Sequence, residues 1–97
     1  MVRKKGKMII WPSNIDQSKS RRKGRIVPKR TSVKNPKLSE IADVAQKLGL
    51  NPEVEPDKSY PKSWWERSGR ITVDKKTKKS EVAKEIAKEI KEMRSHS

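Results

Sequence analysis

The order of the predicted elements indicates a single small α+β domain, β-α-β-β-α, with a three-stranded antiparallel sheet and two helices on one face. Two segments repeat apolar residues at helical spacing on one side only, and such helices need a sheet face to cover. Three further segments are short and apolar or alternating, as strands are. The simplest strand order is first–third–second, so that the first and second strands are parallel but separated by the third.

The first strand is predicted at residues 8–11, an apolar run that Pro12 ends, because the residue before a proline favours extended geometry. Val54 stands between two prolines and predicts a short edge strand, since proline cannot donate to a central ladder. The third strand, residues 70–74, alternates polar and apolar residues after a glycine. This alternation places Arg70 on the solvent side of the sheet.

The first helix is predicted to be capped by Asn35, with Pro36 in its first turn. Gly49 is a natural stop, after which Leu50 folds back on the last turn. The apolar face of this helix comprises Leu38, Ile41, Ala42, Ala45 and Leu48.

The second helix is predicted to be capped by Ser80, with glutamates and lysines filling its outer face. Its apolar stripe comprises Val82, Ile86, Ile90 and Met93. With these elements, residues 7–94 are expected to form the domain, residues 1–6 a flexible basic tail and residues 95–97 a disordered C-terminus.

The strongest global signal is a net charge of +14, from 26 basic and 12 acidic residues among 97. Such charge repels itself in a compact protein, so a polyanionic partner is indicated. Nucleic acid is favoured over a membrane surface because the chain has no long apolar run. The chain contains no cysteine, which excludes a disulfide framework, and the short apolar run near its start does not fit a signal peptide. A soluble cytoplasmic protein is expected.

Nothing in the sequence predicts an enzyme, a metal site or a cofactor. The one histidine, His96, stands next to the last residue, where no base would be held in place. The carboxylates of the last helix interleave with lysines and are explained as an ion-paired surface. The four glycines are scattered and form no phosphate-binding loop.

A long polar stretch, residues 13–34 (the first loop), separates the first strand from the first helix. Loops of this length in small domains are usually functional or disordered. A basic loop held at both ends can present guanidinium groups to phosphates and base edges, and we expect residues 19–30 to be mobile alone and ordered on RNA. The candidate RNA-binding residues here are Lys19, Ser20, Arg21, Arg22, Gly24, Arg25 and Lys29.

Residues 57–68 (the second loop) combine aromatic and cationic residues. Trp64 and Trp65 suit either packing against the core or contact with RNA, because large aromatic rings dominate burial. Tyr60 offers a ring for stacking and a hydroxyl for hydrogen bonding. The candidate RNA-binding residues in and beside this loop are Lys58, Tyr60, Lys62, Arg67 and Arg70.

An ordered set of short motifs resembles the family of the 19-kDa protein of the signal recognition particle, and the short C-terminal end is similar to its archaeal members. The motifs are Ile10-Trp11-Pro12-Ser13-Asn14-Ile15-Asp16, Lys19-Ser20-Arg21, Gly24-Arg25, Asn35-Pro36, Leu48-Gly49-Leu50, Asp57-Lys58-Ser59-Tyr60-Pro61, and Trp64-Trp65 through Gly69-Arg70-Ile71-Thr72-Val73. The chain departs from the family pattern at Asn14, where many members carry an aromatic residue, and at Ile26, where many carry arginine.

The resemblance implies a ribonucleoprotein subunit without an active site or cofactor. Such a protein binds the tips of two neighbouring hairpins of the signal recognition particle RNA as a monomer and clamps them side by side. Clamping prepares the RNA for the 54-kDa GTPase subunit in co-translational protein targeting, which makes that subunit an indirect partner. From the residues alone, another small ribosomal-type RNA-binding protein, a DNA-neutralising chromatin-type protein and a small nuclease remain alternatives.

Overall fold

The structure, a computed structural model, describes residues 6–61 and 68–95 and has the predicted element order. The strands are β1 (Lys7–Ile10), β2 (Glu53–Glu55) and β3 (Arg70–Asp74), and the helices are α1 (Leu38–Lys47) and α2 (Lys79–Ser95). Residues 1–5, 96 and 97 of the expected tails lie outside the described residues, as does His96.

The sheet confirms the predicted strand order, with β3 in the centre and antiparallel to both neighbours. In the β1–β3 pairing Lys7 faces Asp74 and Ile10 faces Ile71. In the β2–β3 pairing Val54 also faces Ile71. Buried residues alternate with partly exposed ones along β1 and β3, so one sheet face is buried under the helices while the other is partly exposed.

The core lies between the buried face of the sheet and the two helices. β1 and β3 contribute Ile10, Ile71 and Val73, each fully buried. The helices contribute Ile41, Val44, Ala45, Val82, Ala83, Ile86, Ala87 and Ile90. Gly49 ends α1 in the left-handed conformation (φ +73°), and the amide of Leu50 then donates to the carbonyl of Ala45 at 2.9 Å, as predicted.

Three details of the helices differ from the sequence prediction. α1 begins at Leu38, not at Asn35 and Pro36, because Lys37 is its N-cap and the Lys37 amide donates to the Glu40 carboxylate at 3.1 Å. α2 begins at Lys79, so Ser80 lies inside its first turn. Met93 is 40% exposed, and the buried stripe of α2 ends at Ile90.

Candidate nucleic-acid interface

Both loops leave the sheet at the same end. β1 runs toward the first loop and ends at Ile10, beside Ile71 of β3. The second loop connects β2 to β3, and the residues at its two ends, Glu55 and Arg70, are partners in the sheet. Adjacent strands lie about 5 Å apart, so the topology alone brings the two loops together.

The first loop is anchored in the core, not draped over the surface. Its apolar residues Ile15, Val27 and Val33 are fully buried. The amide of Val33 donates to the carbonyl of Ile15 at 2.7 Å, and the amide of Gln17 donates to the carbonyl of Val33 at 2.8 Å. These bonds join the beginning of the loop to its end, and the basic residues between them are held on a closed frame.

Asn14 holds this frame against the strand that precedes it. Its side chain is buried, donates from Nδ2 to the carbonyl of Gly24 at 2.9 Å and accepts at Oδ1 from the amide of Trp11 at 2.9 Å. Its own carbonyl accepts from the amide of Ile26 at 2.9 Å. The sequence marked position 14 only as a departure from the family pattern, and a buried side-chain amide with two backbone partners was not predicted.

Three exposed cations of the first loop sit on one tight turn, Arg21–Lys23. Ser20 caps it by accepting from the amide of Lys23 at 3.3 Å, and Gly24 ends it with a φ of +119°. All three side chains of the turn are exposed, as is that of Lys29. Lys23 was not among the predicted binding residues, although its place between Arg22 and Gly24 was a signal for it.

Arg25 and Lys19 have a different environment from the turn. The Arg25 guanidinium donates from Nε to the carbonyl of Val27 at 2.9 Å and from Nη1 to the carbonyl of Lys19 at 2.8 Å. Both residues are half-buried. Arg25 therefore uses its planar fork to bind the backbone of its own loop.

The two loops meet where Gly24 contacts Tyr60. A side-chain carbon added to Gly24 would lie 2.7 Å from the Tyr60 hydroxyl and 2.8 Å from its ring. The Tyr60 ring also meets the Trp11 ring edge to face, with centroids 5.3 Å apart and planes at 66°. Glycine at this position thus allows the backbone of one loop to rest against the aromatic ring of the other.

Arg70 lies beside this contact, on the open face of the sheet as predicted. It forms a two-pronged ion pair with Glu55, Nε to Oε1 at 3.1 Å and Nη2 to Oε2 at 3.2 Å, and stands 5.6 Å from the centre of the Trp11 ring. The hydrogen bond from Arg70 holds the pKa of the Glu55 carboxyl below its usual range, with a smaller contribution from the charge of the exposed Lys58. Arg70 is thus held by Glu55 over the Trp11 ring.

Four predicted residues of the second loop, Lys62, Trp64, Trp65 and Arg67, lie outside the described residues. Across residues 6–61 and 68–95, no group of His, Cys, Asp and Glu side chains could hold a metal ion. No helix within those two ranges is long and apolar enough to cross a membrane.

A small α+β fold with two cation-bearing loops packed together at one sheet end defines a nucleic-acid-binding module. A family model described as SRP19 protein matches residues 9–93, and the chain belongs to this family. The predicted family is therefore confirmed. Members of this family are RNA-binding assembly proteins, which also confirms the prediction that the chain is not an enzyme.

Relatives and solved structures agree with this assignment. The signal recognition particle 19 kDa protein of Methanosarcina mazei is 58% identical over 93 residues, covering 96% of this chain and 92% of the relative. A crystal structure of SRP19 in complex with the S domain of signal recognition particle RNA has 51% identity and a TM-score of 0.82, covering 86% of this chain and 95% of that one. The SRP19 structure from Pyrococcus furiosus has 36% identity and a TM-score of 0.81, and the match covers 94% of this chain and 98% of that one.

Proposed function

We propose that this protein is an RNA-binding assembly subunit of the signal recognition particle and that it binds the S domain of the particle RNA. The packing of Gly24 against Tyr60 carries the proposal, because it merges two cation-bearing loops into one surface. A relative with 51% identity was solved in complex with that RNA domain, which supports the same partner for this chain.

The proposed contact residues fall into groups that differ in how exposed their side chains are. Arg21, Arg22, Lys29 and Lys58 are exposed and suit direct contact with phosphates or base edges, and Lys23 joins them. Lys62 and Arg67 are proposed as contacts on sequence grounds. The remaining candidates shape the surface or contact RNA. Ser20 is exposed and caps the basic turn, and the half-buried or buried candidates are Lys19, Gly24, Arg25, Tyr60 and Arg70.

In the finer form of the proposal, the protein clamps two neighbouring hairpin tips in the cytoplasm and so prepares the RNA for the 54-kDa GTPase subunit. Two loops on one body make the second hairpin contact effectively intramolecular, with a gain set by effective concentration. The close packing of the loops suits two RNA tips that lie side by side. The preparatory role predicts that the 54-kDa subunit binds the S-domain RNA more tightly when this protein is present.

Affinity for RNAs carrying one hairpin or both, at matched salt, tests the clamp. We expect much tighter binding to the two-hairpin RNA and a steep fall with salt, because several phosphates are neutralised together. Equal affinities for both RNAs would leave a binder with one site.

A charge-matched pair of variants tests the surface. Arg21→Ala and Lys47→Ala each remove one positive charge, but Lys47 lies in the last turn of α1, away from the loops. Only the first change should weaken binding strongly. If both changes weaken binding equally, general charge and not the loop surface attracts the RNA.

A further inference from the structure

The last turn of α2 reaches across to the first turn of α1 through Arg94. The Arg94 guanidinium forms a two-pronged ion pair with Glu40, Nε to Oε2 at 2.8 Å and Nη2 to Oε1 at 2.6 Å. The Glu40 side chain is 17% exposed and that of Arg94 is 35% exposed, so water competes little for the carboxylate. Paired charge-assisted bonds of this geometry are among the strongest side-chain contacts in proteins.

The same guanidinium also holds the end of the first loop. Nη1 donates to the carbonyl of Lys34 at 2.7 Å, and Nη2 donates to the carbonyl of Asn35 at 3.2 Å. Asn35 has a left-handed φ of +50°, a conformation that asparagine adopts more readily than most residues with a side chain. Arg94 therefore binds the backbone where the loop turns sharply into α1.

A second cation of α2 contacts the loop slightly earlier. Lys91 Nζ donates to the carbonyl of Arg30 at 2.6 Å. Lys91 and Arg94 are three residues apart and so lie on one side of the helix. Together they bind three backbone carbonyls in the segment from residue 30 to residue 35.

We propose that Arg94 is a positioning residue for RNA binding, which it supports by holding the first loop in its binding shape without contacting RNA. The inference rests on the proposed function. A chain of bonded neighbours connects Arg94 to the basic turn. Lys34, which Arg94 binds, precedes Val33, and the Val33 amide donates to the carbonyl of Ile15. Asn14 precedes Ile15, and its side chain donates to the carbonyl of Gly24 at the end of the turn. A loop held in one shape before binding loses less conformational freedom when RNA binds.

The geometry separates this role from that of a simple surface charge. Glu40 neutralises Arg94, and the other donors of the guanidinium point at backbone carbonyls. Lysine at position 94 would keep the charge but lose the planar fork that serves several acceptors at once. Arg94→Lys should therefore behave as a partial loss, not as the wild type.

The Lys47–Glu89 pair supplies the matched control. It also links α1 to α2, with Nζ and Oε2 3.2 Å apart, but within the described part of the chain neither side chain forms a hydrogen bond with the first loop. Lys47→Ala removes the same charge as Arg94→Ala, so a difference between the two variants reports the loop contacts.

Two measurements on the full chain test the proposal. Amide hydrogen exchange in the free protein should accelerate at Gln17 and Val33 in Arg94→Ala, relative to the β1–β3 amides, and should not do so in Lys47→Ala. The affinity for the two-hairpin RNA should fall about tenfold in Arg94→Ala, less in Arg94→Lys and little in Lys47→Ala, since loss of bonds to a charged group typically costs a factor of this size.

The two readouts separate failure of this proposal from failure of the proposed function. If the wild type does not bind the RNA, the proposed function fails, while the exchange data still report on the loop. Unchanged exchange at Gln17 and Val33 in Arg94→Ala, or acceleration equal to that of the sheet amides, overturns the positioning role. Wild-type affinity in Arg94→Lys overturns it as well, because charge alone would then suffice.

Discussion

Tyr60 rests so closely on Gly24 that no side chain fits between them: an added carbon on Gly24 would lie 2.7 Å from the tyrosine hydroxyl. This contact joins two residues that are 36 positions apart in the chain, on loops that come together only through the sheet. A change on either side of the contact should therefore affect both loops at once.

Gly24→Ala should destabilise the protein because the new methyl group displaces the Tyr60 ring. Gly6→Ala is the matched control, since Gly6 also has a positive φ, +76°, but open space where the methyl group would lie. Each change costs about 1–2 kcal/mol for the backbone conformation. Displacement of the ring should add about 1–3 kcal/mol to the cost at Gly24 alone. Unfolding by denaturant measures the free energy of unfolding of both variants. Equal losses of stability in Gly24→Ala and Gly6→Ala would show that the loops do not need this contact.

Substitutions at Tyr60 separate packing from hydroxyl chemistry. Tyr60→Phe keeps the edge-to-face contact with Trp11, so the free energy of unfolding should stay within about 0.5 kcal/mol of wild type. Tyr60→Ala removes the ring and should cost about 1–3 kcal/mol. If the hydroxyl binds RNA, Tyr60→Phe should still weaken RNA binding by about 1 kcal/mol. Unchanged RNA affinity in Tyr60→Phe would leave the residue a packing role only.

Alanine substitution should have unequal effects at Arg21, Arg22 and Arg25 of the first loop. Arg21 and Arg22 are exposed, and loss of a pure phosphate contact should weaken all RNAs alike and reduce the salt slope by about 1. An arginine that reaches a base edge should lose about 1–3 kcal/mol and sequence specificity. Arg25→Ala should instead lower the free energy of unfolding, because its bonds to Val27 and Lys19 are lost. Unchanged hairpin affinity in the triple variant would exclude this loop as the interface.

The elements of the fold were predictable from sequence because each carries its own periodicity. The alternation around Ile71 and Val73 identified the central strand, and Gly49 followed by Leu50 identified the end of α1. The two prolines beside Val54 correctly restricted that strand to an edge. The strand order first–third–second was predicted as the simplest one for a sheet with both helices on one face, and the structure has it.

The anchoring of the first loop was not predictable in the same way. Ile15, Val27 and Val33 follow no regular spacing, and their burial depends on tertiary contacts that no local pattern encodes. The candidate residues were chosen mainly as cations, and an exposed Arg21 and a backbone-bound Arg25 look alike in sequence. Arg94 was missed for a related reason, since its partners lie more than 50 positions away.

Glu40 should make stability depend on pH in the acid range. The hydrogen bond from Arg94 holds the pKa of the Glu40 carboxyl below its usual range. The Glu40–Arg94 pair therefore contributes its full share to the free energy of unfolding above the ordinary glutamate pKa of about 4.3. This share is lost as the pH falls through the lower pKa that Glu40 has in the folded protein. Unfolding by urea from pH 2.5 to 7 should show Glu40→Gln about 1–2 kcal/mol less stable than wild type at neutral pH. The difference should shrink in acid, and a constant difference would rule out this linkage.

The order of the first loop before and after RNA binding is the remaining prediction, and the contacts limit where motion is possible. Residues 19–30 were expected to be mobile alone and ordered on RNA. Val27 is fully buried and Arg25 is tied to two carbonyls, so motion in the free protein should concentrate at the exposed turn Arg21–Lys23. Backbone order parameters should be below about 0.6 in this turn and near 0.85 at the anchors, and the turn should reach the anchor value on RNA. Uniformly rigid values across residues 19–30 in the free protein would mean that the binding surface is fully formed in advance.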